Sequence, residues 1–169
     1  MPSSPNSRRP SNQTKSSAKV ESQSGPFDNT LALLSGYWFT TRLLFARVSE
    51  TREALWGPAS EQRTEDETDT IGRNLRSYVQ HWILSLSAVC ECFVQLRLDD
   101  EAIVKAIDQN LPFLRAYRDS YFAFAISEEG LFGPPWPGEA KLNAVEDLHQ
   151  KFDTFFVTYF ENKYPSTRG

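Results

Sequence analysis

Apolar residues recur at helical spacing along most of the chain. Over residues 31–56 they return at steps of three and four, and the pair Gly57-Pro58 predicts the end of a first helix. A second and wider apolar face runs over residues 75–96, which favours a central helix with more than one neighbour. The charged residues 59–69 between these two segments predict a solvated loop.

The second half of the chain also shows helical patterns. Asp99 or Asp100 is predicted to cap a helix, and Asn110 and Pro112 are predicted to interrupt it, so that a new helix starts near Leu111. Residues 130–138 contain too much proline and glycine to be helical. A last helix is predicted from residue 139 to about residue 163. The sequence therefore predicts an all-α protein, a bundle of four to five helices.

Composition divides the chain into three parts. Residues 1–29 are rich in serine and proline and predict a disordered tail, residues 30–164 form the helical bundle domain, and residues 165–169 a flexible C-terminus. The tail carries a net charge of +2. Because the whole chain has a net charge of −4, the remaining residues carry −6. An acidic domain lacks the broad positive surface that nonspecific nucleic-acid binding uses.

Several classes of protein are excluded by simple patterns. No apolar run approaches the ~18 residues of a membrane span, and the N-terminus lacks the apolar core of a secretory signal. We therefore expect a cytoplasmic protein without membrane contact. Cys90 and Cys92 stand two apart in a predicted helix, where their side chains diverge, so buried reduced thiols are expected.

Metal and cofactor chemistry finds little support in the sequence. Glu146 and His149 have the Glu-x-x-His spacing of di-iron bundles, but such a site needs this step twice, and His81 has Tyr78 three residues before it. We expect no metal, with His149 on the helix surface or partly buried and His81 partly buried and hydrogen-bonded. No phosphate-binding loop or nucleophile elbow occurs, so no cofactor is predicted.

One short segment carries the functional hypothesis. Arg118 and Asp119 are followed by a three-residue spacer and then by Ala123. The segment resembles the signature of HEPN domains, which consists of an arginine, a polar residue, three to five further residues and a histidine. Position 123 would be that histidine. The layout of helices over about residues 31–163 is also similar to the HEPN domain, with the motif shortly before the final helix.

The resemblance implies a function in prokaryotic defence or toxin–antitoxin systems. Active HEPN proteins cleave RNA without a metal, which assigns phosphate binding to Arg118 and Arg115 and orientation of the guanidinium to Asp119. Arg118 and residue 123 differ by about 140° on a helix, and the family brings its motifs together by dimerisation across a two-fold axis. The implied partners are a second copy, RNA, and a cognate antitoxin or a nucleotidyltransferase.

The alanine at position 123 changes the expected activity. An arginine holds a phosphate and a histidine moves protons at neutral pH, whereas alanine does neither. Loss of such a group costs ~10²- to 10⁴-fold in rate, unless His149 replaces it. We expect a ribonuclease fold that is inactive with alanine at position 123. The alanine is either a deliberate replacement of histidine or the natural residue of a lineage that keeps the fold for binding. The alternatives are a non-catalytic helical binding or regulatory protein, and a solvated charged face at Arg118 and Asp119.

Overall fold

Four long α-helices make up the part of the chain that the structure describes. The structure is a computed structural model that describes residues 26–126 and 135–163, with side chains over 29–123 and 135–162. The helices are α1 (Pro26–Trp56), α2 (Glu65–Gln95), α3 (Glu101–Ile126) and α4 (Glu139–Lys163), and a short 3₁₀ helix, Pro58–Gln62, follows α1. No strand occurs in the described ranges. The predicted all-α bundle is confirmed.

The helices form a ring in which each runs antiparallel to its neighbours. Side-chain contacts join α1 to α2, α2 to α3, α3 to α4 and α4 back to α1: Thr41 with Ser85, Glu91 with Arg115, Phe113 with Lys141, and Asp153 with Arg42. The α1–α4 seam therefore lies opposite the α2–α3 seam, and α1 lies diagonally across from α3. This up-and-down order is the common topology of four-helix bundles.

Aromatic side chains fill the interior of the ring. Trp82 and Phe93 of α2 and Phe152 of α4 are fully buried, and the Phe93 and Phe152 rings meet edge to face at 5.5 Å between centroids. Trp38 of α1 stacks on Phe156 at 5.6 Å. The wide apolar face of α2 is buried against this cluster, as its pattern predicts.

The junction of α1 and α2 corrects the predicted loop. The first helix ends at Trp56 as expected, because Gly57 is extended and Pro58, which follows it, disfavours helical backbone in the preceding residue. The loop predicted at residues 59–69 is wrong for most of its length, since the 3₁₀ helix fills its first part and α2 begins at Glu65. A capping box explains the early start: Glu67 N donates to Thr64 Oγ1 at 3.3 Å, and Thr64 N donates to Glu67 Oε2 at 2.9 Å.

The interruption predicted at Asn110 and Pro112 is also wrong, because α3 is one continuous helix. Pro112 lies on the exposed side, where water can satisfy the carbonyl that loses its helical donor. Asn110 is buried, and its side-chain amide donates to the carbonyl of Ala106 at 2.9 Å. Leu114 is buried on the far side of the proline, so core packing outweighs the local preference.

The turn between α2 and α3 sets the pairing of these helices. Arg97 has a positive φ of 52°, while Arg97 N donates to the carbonyl of Val94 and Leu98 N to that of Phe93, which is a Schellman cap with arginine in place of glycine. Asp100 Oδ1 then accepts from Ile103 N at 3.0 Å. Asp100 is thus the cap of α3, one of the two predicted residues.

The remaining boundaries agree with the sequence in part. The structure starts α1 at Pro26, inside the predicted tail, and residues 1–25 and 164–169 lie outside the described range. Residues 135–138 are not helical, and α4 begins at Glu139 as predicted. Residues 127–134, the rest of the predicted proline- and glycine-rich connection, lie outside the described residues.

Candidate functional site

The arginines of the HEPN-like segment lie at the α2–α3 seam, where one carboxylate of α2 bridges them. Arg118 Nη1 donates to Glu91 Oε1 at 2.9 Å, and Arg115 Nε donates to the same oxygen at 3.1 Å. Arg118 Nε also donates to Asp119 Oδ1 at 3.2 Å. We call these four residues the arginine cluster. Its two positive charges are balanced by two negative charges.

Glu91 is ionised in this arrangement. Partial burial of its carboxyl favours the neutral form, but the hydrogen bonds and charges of Arg115 and Arg118 outweigh that burial and hold the pKa of Glu91 below its usual value. The hydrogen bonds that Arg118 donates to Glu91 and Asp119 in turn raise the pKa of Arg118. The Arg118 side chain is half-buried against α2, whereas Asp119 is exposed. Both guanidinium groups therefore already hold a carboxylate where a phosphate would bind.

Position 123 lies on a different side of α3. Ala123 is exposed, while Arg118 is turned toward Glu91 of α2. The separation agrees with the roughly 140° expected between these positions on a helix. Within one chain, the described contacts do not bring the two ends of the motif together.

The structure places an imidazole beside the motif, from His81, which the sequence predicts to be partly buried. His81 of α2 is exposed, which corrects the predicted partial burial, and its ring meets Tyr121 edge-on at 6.2 Å between centroids. The predicted hydrogen bond is present, since His81 Nδ1 lies 2.7 Å from the carbonyl oxygen of Ser77. A carbonyl only accepts, so Nδ1 carries the proton and Nε2 of the neutral ring is an acceptor.

His149 does not replace the missing histidine. It is 1% exposed, which corrects the predicted surface or partly buried position, and its ring packs on Trp38 at 4.5 Å and Phe45 at 4.2 Å. Trp82 Nε1 donates to His149 Nδ1 at 3.3 Å, so the neutral ring carries its proton on Nε2. Burial, and secondarily the charge of Arg42, lowers the pKa of His149 to about 4. His149 is a neutral core residue facing α1 and α2.

The other candidate chemistry forms no site in the part of the chain that the structure describes. Glu146 pairs with Arg52 rather than with His149, and no three histidine, cysteine or acidic side chains there could hold a metal. Cys90 is buried and Cys92 half-buried, both as free thiols, and burial raises the pKa of Cys90. None of the described helices combines the length and the apolar character needed to span a bilayer.

Comparisons of the chain with known protein families, with curated proteins and with solved structures found no match. The HEPN resemblance therefore depends on the residues of the motif and the order of the helices.

Proposed function

We propose that the chain is a non-catalytic helical interaction module with a HEPN-like layout. The observation that carries this proposal is the bridging of Arg115 and Arg118 by Glu91. A site that cleaves an RNA phosphodiester needs a guanidinium that is accessible to the phosphate and a group that transfers a proton. In this chain the guanidinium groups of Arg115 and Arg118 are paired with Glu91. The last position of the motif is Ala123, whose methyl group cannot transfer a proton.

The pairing affects ligand binding directly. An RNA phosphate would have to displace the Glu91 carboxylate from two charge-assisted hydrogen bonds, which leaves a partly buried negative charge beside an incoming negative charge. Asp119 adds a second carboxylate on Arg118. Because the cluster has no excess positive charge, it offers little electrostatic attraction for a polyanion.

A HEPN-type ribonuclease of the toxin or defence class is the second candidate. Two arginines of the motif segment are close together on α3, and His81 borders the segment through Tyr121. In that case the loss of histidine at position 123 alone would silence the enzyme. RNA, an antitoxin or a nucleotidyltransferase would then be its partner. This candidate requires that Arg118 exchange Glu91 for a phosphate.

Restoring the histidine separates the two candidates. We expect Ala123→His to leave metal-independent cleavage of single-stranded RNA at background, since Arg118 stays paired with Glu91. A disarmed nuclease would instead gain ~10²- to 10⁴-fold in cleavage rate from the returned acid–base group. The measurement is a gel assay in EDTA with the purified full chain.

Ala116→His is the matched control, because Ala116 is likewise exposed on α3 and lies outside the motif. Cleavage by Ala123→His that Arg118→Ala abolishes, and that Ala116→His does not reproduce, would overturn the proposal and establish the ribonuclease.

A further inference from the structure

The outer face of α1 is unusually apolar for a surface. Eleven large apolar side chains are exposed in the described part of the chain, and six of them, with exposed fractions between 40% and 63%, lie on residues 33–43 of α1 and 157–160 of α4, two segments that meet at a groove. We call this region the α1 patch; it consists of Leu33, Tyr37, Phe39 and Leu43 of α1 with Val157 and Phe160 of α4. Contiguous apolar surface of this kind marks an interaction site.

The first half of α1 carries no charged residue after Asp28. Residues 29–41 contain no acidic or basic residue, and the next charged residue, Arg42, lies 2.9 Å from Asp153 of α4. A helix that is hydrophobic all round is normally buried, and this segment carries large apolar residues on its outer side as well as on its buried side. In the bundle α2 and α4 cover only the inner sides of this half, so its outer side lacks cover. Arg42 lines the groove beside this segment but is paired with Asp153, so it offers a nucleic acid little attraction.

Among the described residues no other segment covers the α1 patch, since its six side chains stay exposed. Residues 1–25 and 164–169 contain only Met1, Val20 and Tyr164 as large apolar side chains.

The shape of the surface suits a second copy of itself. A groove between α1 and α4, lined by Ala32, Gly36, Phe39, Val157 and Phe160 among others, has a volume of about 350 Å³. An added Cβ on Gly36 would meet nothing within 4 Å, so backbone is accessible at this point and a helix can approach closely. Phe39 lines the groove and is exposed, and the exposed Leu43 lies one turn further along α1, so both side chains can enter the same groove on a partner.

The size of the surface is also adequate. An aromatic residue buries ~150–250 Å², so the exposed fractions of the six side chains amount to roughly 600 Å². A stable interface buries ~800 Å² per partner, and the backbone around Gly36 with its small neighbours supplies much of the remainder. Pairing about a two-fold axis places neutral surface on neutral surface and avoids like-charge repulsion.

From these observations we infer that two copies of the chain dimerise through the α1 patch, with the two α1 helices crossing near Gly36. This dimer gives the proposed interaction module a second copy of the chain as its partner. The inference rests on that proposed function. The dimer leaves both arginine clusters outside the interface, because α1 lies diagonally across from α3. It therefore differs from an arrangement in which two motifs share one cleft.

The mass of the full chain in solution tests the inference. Sedimentation equilibrium from ~1 to ~100 μM should give twice 19.3 kDa for the unchanged protein. Phe39→Glu should raise the dimer Kd by about tenfold or more, while Phe122→Glu, at an equally exposed phenylalanine of α3, should leave it unchanged. Gly36→Leu should also weaken the dimer, with helicity by circular dichroism confirming that each variant is folded.

A monomer at every concentration would overturn the dimer, as would dissociation by Phe122→Glu and not by Phe39→Glu. Neither result bears on RNA cleavage by Ala123→His, so the failure of this inference and the failure of the non-catalytic proposal are distinguishable.

Discussion

Replacing Phe152 by alanine is expected to lower the free energy of unfolding by about 4 kcal/mol. Phe152 is fully buried in the middle of α4, and its ring lies 5.5 Å from the Phe93 ring and 5.5 Å from the Trp38 ring between centroids. It therefore joins α1, α2 and α4. Removing it deletes a buried aromatic ring and leaves a cavity among rigid rings that cannot close it.

Urea unfolding followed by circular dichroism measures this loss. Phe122→Ala is the control, because Phe122 is 57% exposed on α3 and its loss should cost under about 1 kcal/mol. If Phe152→Ala unfolds at the same urea concentration as Phe122→Ala, the packing of α4 against the other helices is not as described.

Acidification is expected to destabilise the fold through His149. Its pKa is about 4 in the folded chain because of burial and Arg42, against 6.5 when unfolded. Below pH 6.5 the unfolded chain binds a proton at this histidine and the folded chain does not. The free energy of unfolding therefore falls as the pH is lowered, until the pKa of the folded state is reached. Between pH 7.5 and pH 5 the free energy of unfolding should drop by about 2 kcal/mol from this group.

Two variants isolate the contribution of His149. Gln at position 149 does not titrate and keeps an acceptor for Trp82 Nε1, so His149→Gln should remove most of the slope over this pH range. His81→Gln should leave the slope in place, because the His149 imidazole stays buried in that variant. Glu91, whose pKa is lowered, loses its own contribution at more acidic pH. An unchanged slope in His149→Gln would contradict a neutral buried imidazole.

The sequence predicts the helices well where apolar spacing and end signals agree. The end of α1 at Gly57-Pro58 and the start of α4 at Glu139 follow from local chemistry. The start of α2 was also available locally, since Thr64 and Glu67 form the Thr-x-x-Glu pattern of a capping box. The continuity of α3 through Pro112 could not be predicted from local sequence, because it depends on packing against neighbouring helices.

The two histidines show the same difference between what local sequence predicts and what depends on packing. His149 lies one position after buried Leu148 and three before buried Phe152, so its burial could have been found from helical spacing. His81 stands between buried Gln80 and Trp82, and only the orientation of α2 in the ring decides that it is exposed.

Glu91 is the decisive residue that sequence reasoning missed. Its pairing with Arg115 and Arg118 depends on the register of α2 against α3, which the Schellman cap at Arg97 sets. No pattern within either helix identifies that pair. The sequence could therefore locate the arginines of the motif but not the carboxylate that occupies them.

RNA binding measured by fluorescence anisotropy tests the central claim, that Glu91 already occupies the arginines of the motif. With a labelled single-stranded oligoribonucleotide at low salt, the unchanged protein and Arg118→Ala should bind equally weakly. Glu91→Gln should bind roughly tenfold more tightly, since a charge-assisted hydrogen bond contributes about 1.5 kcal/mol, and adding Arg118→Ala should abolish the gain. Tight binding by the unchanged protein that is lost in Arg118→Ala would contradict the account.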